Sequence, residues 1–439
     1  WKHWTILQAR LARRPGRSPA DQRAPAPPPD LGAERNLLTG VELIRHKVAR
    51  LSLQICPSEP PRVNLLIPTI DFTYLFGGYL AKLNLARKLA ETGFAVRILI
   101  VDYCEYRPDR WRRQLREFEG LEKVLDSCEL AYVFDRSRHV PVSPRDVFVA
   151  TTWWTAYIAR DAARQLGRNA FLYLIQEYEP FTFPMGSLAS MAAETYTWPH
   201  YALFSTRFLR EYFRQQFLGV YGPHGAGGDL RAATFNNAVT RVEAVTRQEL
   251  ASRPTRKLLF YARPEDHAAR NMFELGLLAL GAAIEEGRFG ESWEFTGVGA
   301  VSNDGRVPLP GRRCMRLLQR RSQAQYSQLL AEHDLGLSLM YTPHPSLVPI
   351  EMAAAGMLVV TNTFGNKTSE ALGAISRNII AVEPSLEALA AGLRAGVARV
   401  EDFEARALGS QVNWPRGWEE ALNPEVMERV SGFLRELAL

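Results

Sequence analysis

The chain has 439 residues, of which 46% are hydrophobic and 23% charged, so it is long enough for two or three hydrophobic cores. Its 27 prolines and 31 glycines follow no collagen-like period, and no run of eighteen apolar residues occurs, which excludes fibrous, mainly disordered and membrane-spanning chains. The net charge of +6 suits anionic small molecules or an anionic membrane face, and it falls short of the basic stripe typical of nucleic-acid binding.

Residues 1–35 are predicted to be a basic and proline-rich tether, because a run such as Ala24-Pro-Ala-Pro-Pro-Pro-Asp30 cannot hold a helix. The tether lacks the apolar core of a signal peptide. The first residue is Trp1 rather than Met, which leaves open whether the chain is one module of a larger protein with further domains.

Residues 36–250 show the pattern of a first Rossmann-like domain. A buried strand at 63–68 is followed by a glycine loop, a helix at 80–92 and a second strand at 95–101, which is the unit of a doubly wound parallel sheet. Further strands are predicted at 130–134, 147–151, 170–175 and 200–204.

The four cysteines lie far apart along the chain, and no two of them form a Cys-x-x-Cys pair. They are Cys56, Cys104, Cys128 and Cys314. This spacing argues against a zinc site and against a disulfide framework, and it predicts a soluble protein of the reducing cytoplasm.

The alternation of strands and helices seen in the first domain resumes in residues 251–411, after a glycine cluster at 222–228. Strands are predicted at 257–261, 293–296, 335–339 and 358–361, and helices at 271–286, 323–331, 350–355 and 386–397. The fold class is therefore predicted to be α/β, with two Rossmann-like, doubly wound domains facing each other across a cleft. Residues 412–439 are predicted to be an amphipathic helix that can cross back to the N-terminal domain.

The most informative motif lies at 343–362, where a strand ends, a loop follows and a short helix begins. Loop residues His344, Ser346 and Leu347 place backbone amides where a diphosphate could bind, and Glu351 in the first helical turn could accept hydrogen bonds from a ribose hydroxyl. The alternative is an ordinary helix N-terminus with a carboxylate that compensates the helix dipole.

This motif resembles the nucleotide-binding element of GT-B glycosyltransferases of the large retaining family 4, in which two glutamates precede a small-residue helix, a glycine and an apolar strand. Glu351 matches the second glutamate, whereas Pro343 stands at the position of the first. The Pro-His-Pro-Ser form is similar to the WsaF-type rhamnosyltransferases. The resemblance implies a dTDP-sugar donor, dTDP-L-rhamnose above all, and a growing surface polysaccharide or lipid-linked glycan as acceptor.

Three arginines are candidates for binding the donor diphosphate. Arg263 and Arg270 lie in the segment 260–277, which resembles the strand-loop-helix that opens the second domain of these enzymes, and Arg320 lies where relatives carry a basic residue. A guanidinium can bind two phosphate oxygens at once and stays charged, although these side chains could also be solvated loop charges. Since no Asp-x-Asp occurs in a suitable loop, neither a metal nor another cofactor is expected.

The N-terminal domain carries the candidates for the acceptor side. Gly77 and Gly78 follow the first strand, as the glycine loop of GT-B enzymes does, and Gln176-Glu-Tyr-Glu-Pro180 resembles a block of the same family. Glu177 and Glu179 are the candidate catalytic carboxylates, with a structural acidic turn as the alternative. Trp153 could stack on a sugar ring or belong to the core.

Several functional alternatives remain at this stage. Retention without a protein nucleophile and inversion with a carboxylate base are both open, and so are a nucleotide-sugar epimerase of GT-B fold and a catalytically silent glycan-assembly module. An NAD-dependent enzyme is disfavoured because the first glycine loop lacks Gly-x-Gly-x-x-Gly. The basic stretches 110–116 and 207–214 could bind the inner face of an anionic membrane or simply be solvated helix faces.

Overall fold

The structure is a computed structural model, and it describes residues 32–439 apart from 71–76, 119, 224, 226, 244, 300–304 and 320–321. Residues 1–31 of the predicted tether lie outside the described residues. A helix, Gly32–Lys47, begins inside the segment assigned to the tether, and its last residue is 2% exposed. The boundary predicted at residue 35 therefore falls within a helix.

The described strands are numbered β1 to β16 in chain order. In the N-terminal half they are β1 (Ser52–Ile55), β2 (Val63–Ile67), β3 (Val96–Ile100), β4 (Glu129–Tyr132), β5 (His139–Val142), β6 (Val147–Ala150), β7 (Phe171–Ile175), β8 (His200–Ser205) and β9 (Ala232–Phe235). In the C-terminal half they are β10 (Lys257–Tyr261), β11 (Glu294–Val298), β12 (Gly305–Leu309), β13 (Arg313–Leu317), β14 (Leu335–Leu337), β15 (Leu358–Asn362) and β16 (Ile379–Val382).

These strands form two seven-stranded sheets and one small pair. The first sheet has the order β4-β3-β2-β6-β7-β8-β9 with parallel neighbours throughout, and the second has the order β12-β13-β11-β10-β14-β15-β16. In the second sheet only β12, at the edge, runs antiparallel to its neighbour, while β1 and β5 form a separate parallel pair. The prediction of two doubly wound sheets is confirmed.

Helices cover both sheets. In the N-terminal half they are Gly32–Lys47, Gly77–Glu91, Pro108–Leu115, Val124–Ser127, Trp153–Gln165, Ser187–Thr195, Arg207–Gln215 and Arg247–Ala251. In the C-terminal half they are Phe273–Glu285, Gln323–Ala331, Val348–Ala354, Ser369–Gly373, Leu386–Arg399, Phe403–Gly409, Trp418–Ala421 and Pro424–Ala438. Short 3-10 turns lie at Glu179–Thr182, Gly219–Tyr221, Gly228–Arg231 and Asp266–Asn271.

The central strands are buried along their whole length, because helices cover both faces of each sheet. Every residue of β2, β3, β7 and β15 is buried, which is why these segments are almost continuous apolar runs in the sequence. The β12–β13 hairpin was not predicted from the sequence. Arg306 and Arg316 on its strands are exposed, and Arg313 is half-buried.

The last helix, Pro424–Ala438, lies against the first sheet. Val430, Phe433 and Leu434 belong to the same apolar core as β2 and β3. Tyr201 of β8 donates a hydrogen bond to Glu436 at 2.5 Å. The chain therefore returns to its N-terminal half after completing the second sheet, so both ends of the described chain pack on one domain.

The two basic stretches form helix faces over apolar cores. Phe208, Leu209 and Phe213 are buried under one helix, and the Arg210 guanidinium pairs with Asp229 at 2.7 Å. In the other helix Arg112 pairs with neighbouring carboxylates. These contacts match the alternative of solvated helix faces, and docking on an anionic membrane stays a prediction. No helix among the described residues is long and apolar enough to cross a bilayer.

Candidate active site

The candidate site lies where loops at the carboxyl ends of the two sheets meet. Glu177 and Glu179 follow β7 of the first sheet, and Thr342 follows β14 of the second. The Thr342 hydroxyl donates a hydrogen bond to a Glu177 oxygen at 3.2 Å, which joins the two domains through side chains 165 positions apart. The carboxyl edge of a parallel sheet is where open α/β folds bind their ligands.

Glu177 is a half-buried carboxylate that faces cations of the other domain. One of its oxygens accepts the backbone N–H of Tyr178 at 3.0 Å. Burial raises the pKa of Glu177, while Arg270 and Lys367 act in the opposite direction by favouring the charged carboxylate. The predicted acceptor residue Glu177 and the predicted phosphate residue Arg270 are therefore brought together.

Most of the hydrogen-bond donors of the Arg270 side chain have no partner among the described residues. Within the described ranges, the Arg270 side chain makes one hydrogen bond, a long one from Nη1 to the carbonyl of His267 at 3.4 Å. The Nε atom is buried and has no hydrogen-bond partner within the described part of the chain. A guanidinium with this many unused donors at a domain cleft is well suited to bind a phosphate.

Lys367 is a second cation of the site, and the sequence analysis missed it. Its side chain is completely buried, and its ammonium donates to the carbonyl of Met340 at 2.6 Å and to that of His344 at 3.4 Å. Burial lowers the pKa of Lys367 to about 7, with Glu177 opposing the shift. The available signal was its position, because the segment Thr363-Phe-Gly-Asn-Lys367 directly follows the carboxyl end of β15.

His344 and Ser346 organise the loop before the helix Val348–Ala354. The Ser346 backbone N–H donates to the His344 Nδ1 atom at 3.0 Å, so this amide is not free to bind an anion as predicted. Burial, Lys367 and Arg270 together lower the pKa of His344 to about 3, which keeps the ring neutral. Ser346 has a φ of 61°, and Leu347, half-buried, immediately precedes the helix.

Both carboxylate oxygens of Glu351 already accept hydrogen bonds from the protein, which the sequence motif did not predict. One carboxylate oxygen accepts the backbone N–H of Thr240 at 2.9 Å, and the other accepts the hydroxyl of Tyr326 at 3.1 Å. The side chain ties the segment between the domains to the second sheet. A ribose hydroxyl could reach this carboxylate only by sharing or replacing one of these bonds.

Of the other two predicted phosphate arginines, Arg263 already bonds to neighbouring side chains. The Arg263 guanidinium makes hydrogen bonds with Glu265 at 3.0 Å, with the hydroxyl of Tyr261 at 3.2 Å and with His267 at 3.1 Å. These neighbours take up the guanidinium donors of Arg263, and the Glu265 carboxylate pairs with its charge. Arg320 lies outside the described residues.

Glu179 is the second half-buried carboxylate, and a backbone amide holds it in place. The N–H of Trp153 donates to Glu179 at the start of the helix Trp153–Gln165. Burial raises the pKa of Glu179 to about 8, opposed by Trp153 and the cation of Lys82 and reinforced by Glu177. The Trp153 side chain is completely buried, which matches the core position given as the alternative for this residue.

Gly78 permits a close approach between the first helix of the site and β7. The helix begins at Gly77, and the Gln176 side chain donates to the Gly78 carbonyl at 2.9 Å. A Cβ atom on Gly78 would lie 3.3 Å from the Gln176 amide nitrogen, so a larger residue would press on the segment that carries Glu177.

Aromatic side chains from both domains line the cleft beside these charges. Phe181 contacts Phe364 with ring centres 5.6 Å apart, and Tyr341 contacts the same ring at 4.8 Å. Phe181 is 39% exposed and Tyr341 is 51% exposed, so both offer ring surface to a sugar. These rings, unlike that of Trp153, have exposed surface.

The chain matches two family models, one in each half. The model of the WsaF N-terminal domain matches residues 62–207, and that of the WsaF C-terminal domain matches residues 256–394, so together they cover more than half of the chain. The first match contains Lys82, Glu177 and Glu179, and the second contains Arg270 and Lys367.

One curated relative and several solved structures are also similar. The O-antigen biosynthesis protein RfbC of Myxococcus xanthus is 34% identical over 277 residues, which are 61% of this chain and only 19% of that protein's length. HepE of Anabaena, in complex with UDP and glucose, has a TM-score of 0.54 at 12% identity over 86% of this chain and all of HepE. Sucrose-phosphate synthase of Thermosynechococcus elongatus has a TM-score of 0.50 at 14% identity over 86% of this chain and 96% of its own. These likenesses show a shared fold, the two-domain GT-B arrangement.

Proposed function

We propose that this chain, which belongs to the WsaF family, transfers a sugar from a nucleotide-sugar donor to a growing polysaccharide. Its fold is that of HepE, whose structures hold UDP and UDP-glucose, and its relative RfbC is named for O-antigen biosynthesis. The observation that carries the proposal is the meeting of Arg270 and Lys367 with Glu177 at the domain cleft, where Thr342 of the second domain also donates a hydrogen bond to Glu177.

The cations of the second sheet would bind the diphosphate that leaves during transfer. Negative charge develops on the bridging oxygen as the sugar departs, and fixed cations stabilise that charge best in a site without bulk water. Arg270 supplies paired donors, and Lys367 supplies a buried ammonium that can turn from the carbonyls it now contacts. In this proposal, neither the binding of the diphosphate nor the stabilisation of its charge needs a metal ion.

The carboxylates of the first sheet would serve the acceptor. Glu179 is our candidate for the base that removes the proton from the acceptor hydroxyl, because backbone donation from Trp153 fixes its orientation. A base on the face opposite the leaving group would invert the anomeric centre, whereas front-face attack would retain it. The anomeric configuration of the product, read by NMR, decides between these two courses.

We further propose dTDP-L-rhamnose as donor, on the strength of the motif around Glu351. We expect dTDP to bind about tenfold more tightly than UDP, because a pocket fitted to the thymine methyl loses that contact with uracil. Replacing Glu351 with Ala should weaken binding of either nucleotide. Isothermal calorimetry with both nucleotides checks this expectation. Tighter binding of UDP, together with unchanged affinity of Glu351→Ala, would rule the donor assignment out.

The Glu177 carboxylate attracts Arg270 and Lys367, the two cations that a diphosphate would need. Replacing it with Gln is expected to strengthen dTDP binding about fivefold, because one competing charge pair of about 1 kcal/mol is removed from Arg270 and Lys367. Calorimetric titration of dTDP measures the change, with the exposed Glu428→Gln as control. Weaker binding in Glu177→Gln would mean that the carboxylate positions the cations for the ligand instead of competing with it.

Two other functions are separated by simple turnover experiments. A nucleotide-sugar epimerase of the same fold would convert the donor without any acceptor, so NMR of the donor incubated alone reveals an epimer or its absence. A silent glycan-assembly module would bind nucleotide sugars without turnover. Release of dTDP only when a glycan acceptor is present supports transfer over both alternatives.

A further inference from the structure

Aromatic side chains from both domains meet in a cluster beside the candidate site. Phe181 and Tyr212 belong to the first domain, and Tyr341 and Phe364 belong to the second. Phe364 lies at the centre, because its ring is 5.6 Å from that of Phe181 and 4.8 Å from that of Tyr341, measured between ring centres. Its distance to the Tyr212 ring is 6.4 Å. The cluster therefore bridges the two domains through ring contacts.

Short segments hold the cluster against the residues proposed to act in transfer. The 3-10 turn Glu179–Thr182 carries Phe181, and it lies against the 3-10 turn Asp266–Asn271 of the other domain, which carries Arg270. The backbone N–H of Tyr341 donates to the Arg270 carbonyl at 2.8 Å. The rings are therefore continuous with the candidate site.

Phe364 also belongs to the same tight turn as Lys367. The backbone groups of these two residues exchange hydrogen bonds of 3.0 and 2.9 Å, and Gly365 between them has a φ of 52°, which glycine adopts without strain. The Asn366 side chain donates to the Phe208 carbonyl at 2.9 Å and so ties the turn to the first domain. One short turn thus holds an aromatic ring and the buried ammonium in a fixed relation.

Two rings of the cluster keep a large part of their surface open. Phe181 is 39% exposed and Tyr341 is 51% exposed, whereas Phe364 and Tyr212 are half-buried. The Tyr341 hydroxyl makes no hydrogen bond with any residue that the structure describes. Open rings in a cleft, with polar groups at their edge, are typical of a ligand site.

The surroundings favour a sugar ring as the occupant. A sugar ring presents C–H groups on its faces, which pack on aromatic rings, and hydroxyls at its edge, which need hydrogen-bond partners. Phe181 and Tyr341 offer the flat surface, and the hydroxyl of Tyr341 offers a polar partner. Two partly exposed rings are smaller than the apolar patch that a protein or membrane partner covers.

The position of Phe181 favours a sugar of the acceptor over that of the donor. Phe181 follows Glu179 by two residues in one 3-10 turn, so a sugar stacked on its ring lies beside the proposed base. The proposed diphosphate residues belong to the other domain. Beyond Phe181, the same segment of the first domain leaves Pro184 exposed and Met185 96% exposed, so the surface can continue along a longer glycan.

We propose that Phe181 and Tyr341 form a stacking surface for the terminal sugar ring of the acceptor glycan, with Phe364 as its support. This proposal rests on the function proposed above and adds the place where the acceptor binds. Because the two rings come from different domains, the surface is complete only while the domains keep the contact between Phe181 and Phe364.

Saturation-transfer NMR on the full chain tests the surface directly. Irradiation of the aromatic protons of the protein transfers saturation to ligand protons that lie against its rings. The probes are the methyl glycosides of L-rhamnose, D-glucose, D-galactose and D-mannose, each added in the presence of dTDP. We expect at least one probe to receive saturation at its ring C–H protons. Absence of transfer to every probe would overturn the proposal.

Three substitutions and one control show whether the rings bind the probe. Phe181→Leu and Tyr341→Leu keep apolar volume but remove the flat ring, and each is expected to weaken probe binding about two- to tenfold, the range for one aromatic contact. Tyr341→Phe keeps the ring and should lose less than Tyr341→Leu. Phe217→Leu is the matched control, because Phe217 is 72% exposed and lies beyond the far end of the helix Arg207–Gln215.

Unchanged probe binding in both leucine variants would overturn the proposal, and if the Tm shows that one of them does not fold, the other decides. Calorimetric titration of dTDP-L-rhamnose examines the donor side, where no change is expected. A loss there as large as that for the probe would place the donor sugar on the rings and overturn the proposal as well.

The function proposed above is tested separately, by release of dTDP in the presence of a glycan acceptor. Release of dTDP together with probe binding that does not depend on the rings would refute only the stacking surface. Probe binding that depends on the rings, without any release of dTDP, would refute only the transfer.

Discussion

Replacing Glu179 with Gln is expected to lower the rate of sugar transfer by about 10² to 10⁴, the range for loss of a general base. Glutamine can still accept the Trp153 backbone N–H, but it cannot take a proton from the acceptor hydroxyl. Donor affinity should not change, because Glu179 lies on the acceptor side. The measurement is the release of dTDP in the presence of acceptor, with calorimetry of dTDP alongside.

The pH dependence of the same reaction gives a second readout. The pKa of Glu179 is raised to about 8, so the carboxylate form becomes dominant only above that pH, and the rate should rise as the pH passes through about 8. This rise should be absent in Glu179→Gln. Glu428→Gln, an exposed change on the last helix, is the control. If Glu177→Gln loses the reaction while Glu179→Gln keeps it, the two carboxylates have been assigned the wrong way round.

Replacing Arg270 with Ala is expected to weaken binding of a nucleoside diphosphate about 100-fold, because removing one partner of a buried, hydrogen-bonded charge pair costs about 2 to 5 kcal/mol. The Nε atom of Arg270 is buried and has no hydrogen-bond partner among the described residues, so this donor is available to a ligand. Lysine at this position should lose about tenfold, since it keeps the charge but not the paired, planar donors.

Calorimetric titration of dTDP measures both Arg270 variants. Arg288→Ala is the matched control, because this arginine is exposed and follows the helix Phe273–Glu285 on the same domain. A decrease in Arg270→Ala no larger than in the control would place the diphosphate elsewhere. Lys367 and Arg320 would then be the next positions to test.

Local patterns in the sequence predicted much of the fold for a clear physical reason. Strands covered on both faces must be apolar throughout, as β2 and β15 are, and glycine turns separate them from amphipathic helices. The β12–β13 hairpin was not predicted by this rule because it lies at a sheet edge, where arginine side chains can reach water. Its pattern resembles that of a polar loop.

The sequence predicted where the candidate site lies, but only some of the residues that form it. Arg270, Glu177 and Glu179 follow from their positions at strand ends. Arg263 belongs to the same kind of segment, yet Glu265 and its neighbours use its donors. Trp153 follows a strand as an exposed stacking residue would, but the structure buries it completely.

By itself, the sequence determined two α/β domains, the sheet edges where ligands are expected and the chemical types of side chain gathered there. Only the tertiary structure decided which charges meet, because that depends on partners far apart in the chain, such as Glu177 and Thr342. The buried lysines Lys82 and Lys367 show the same limit, since a lysine in a helix or loop is expected to reach water. Their burial follows from how the two sheets and the first helix pack, and no local pattern encodes it.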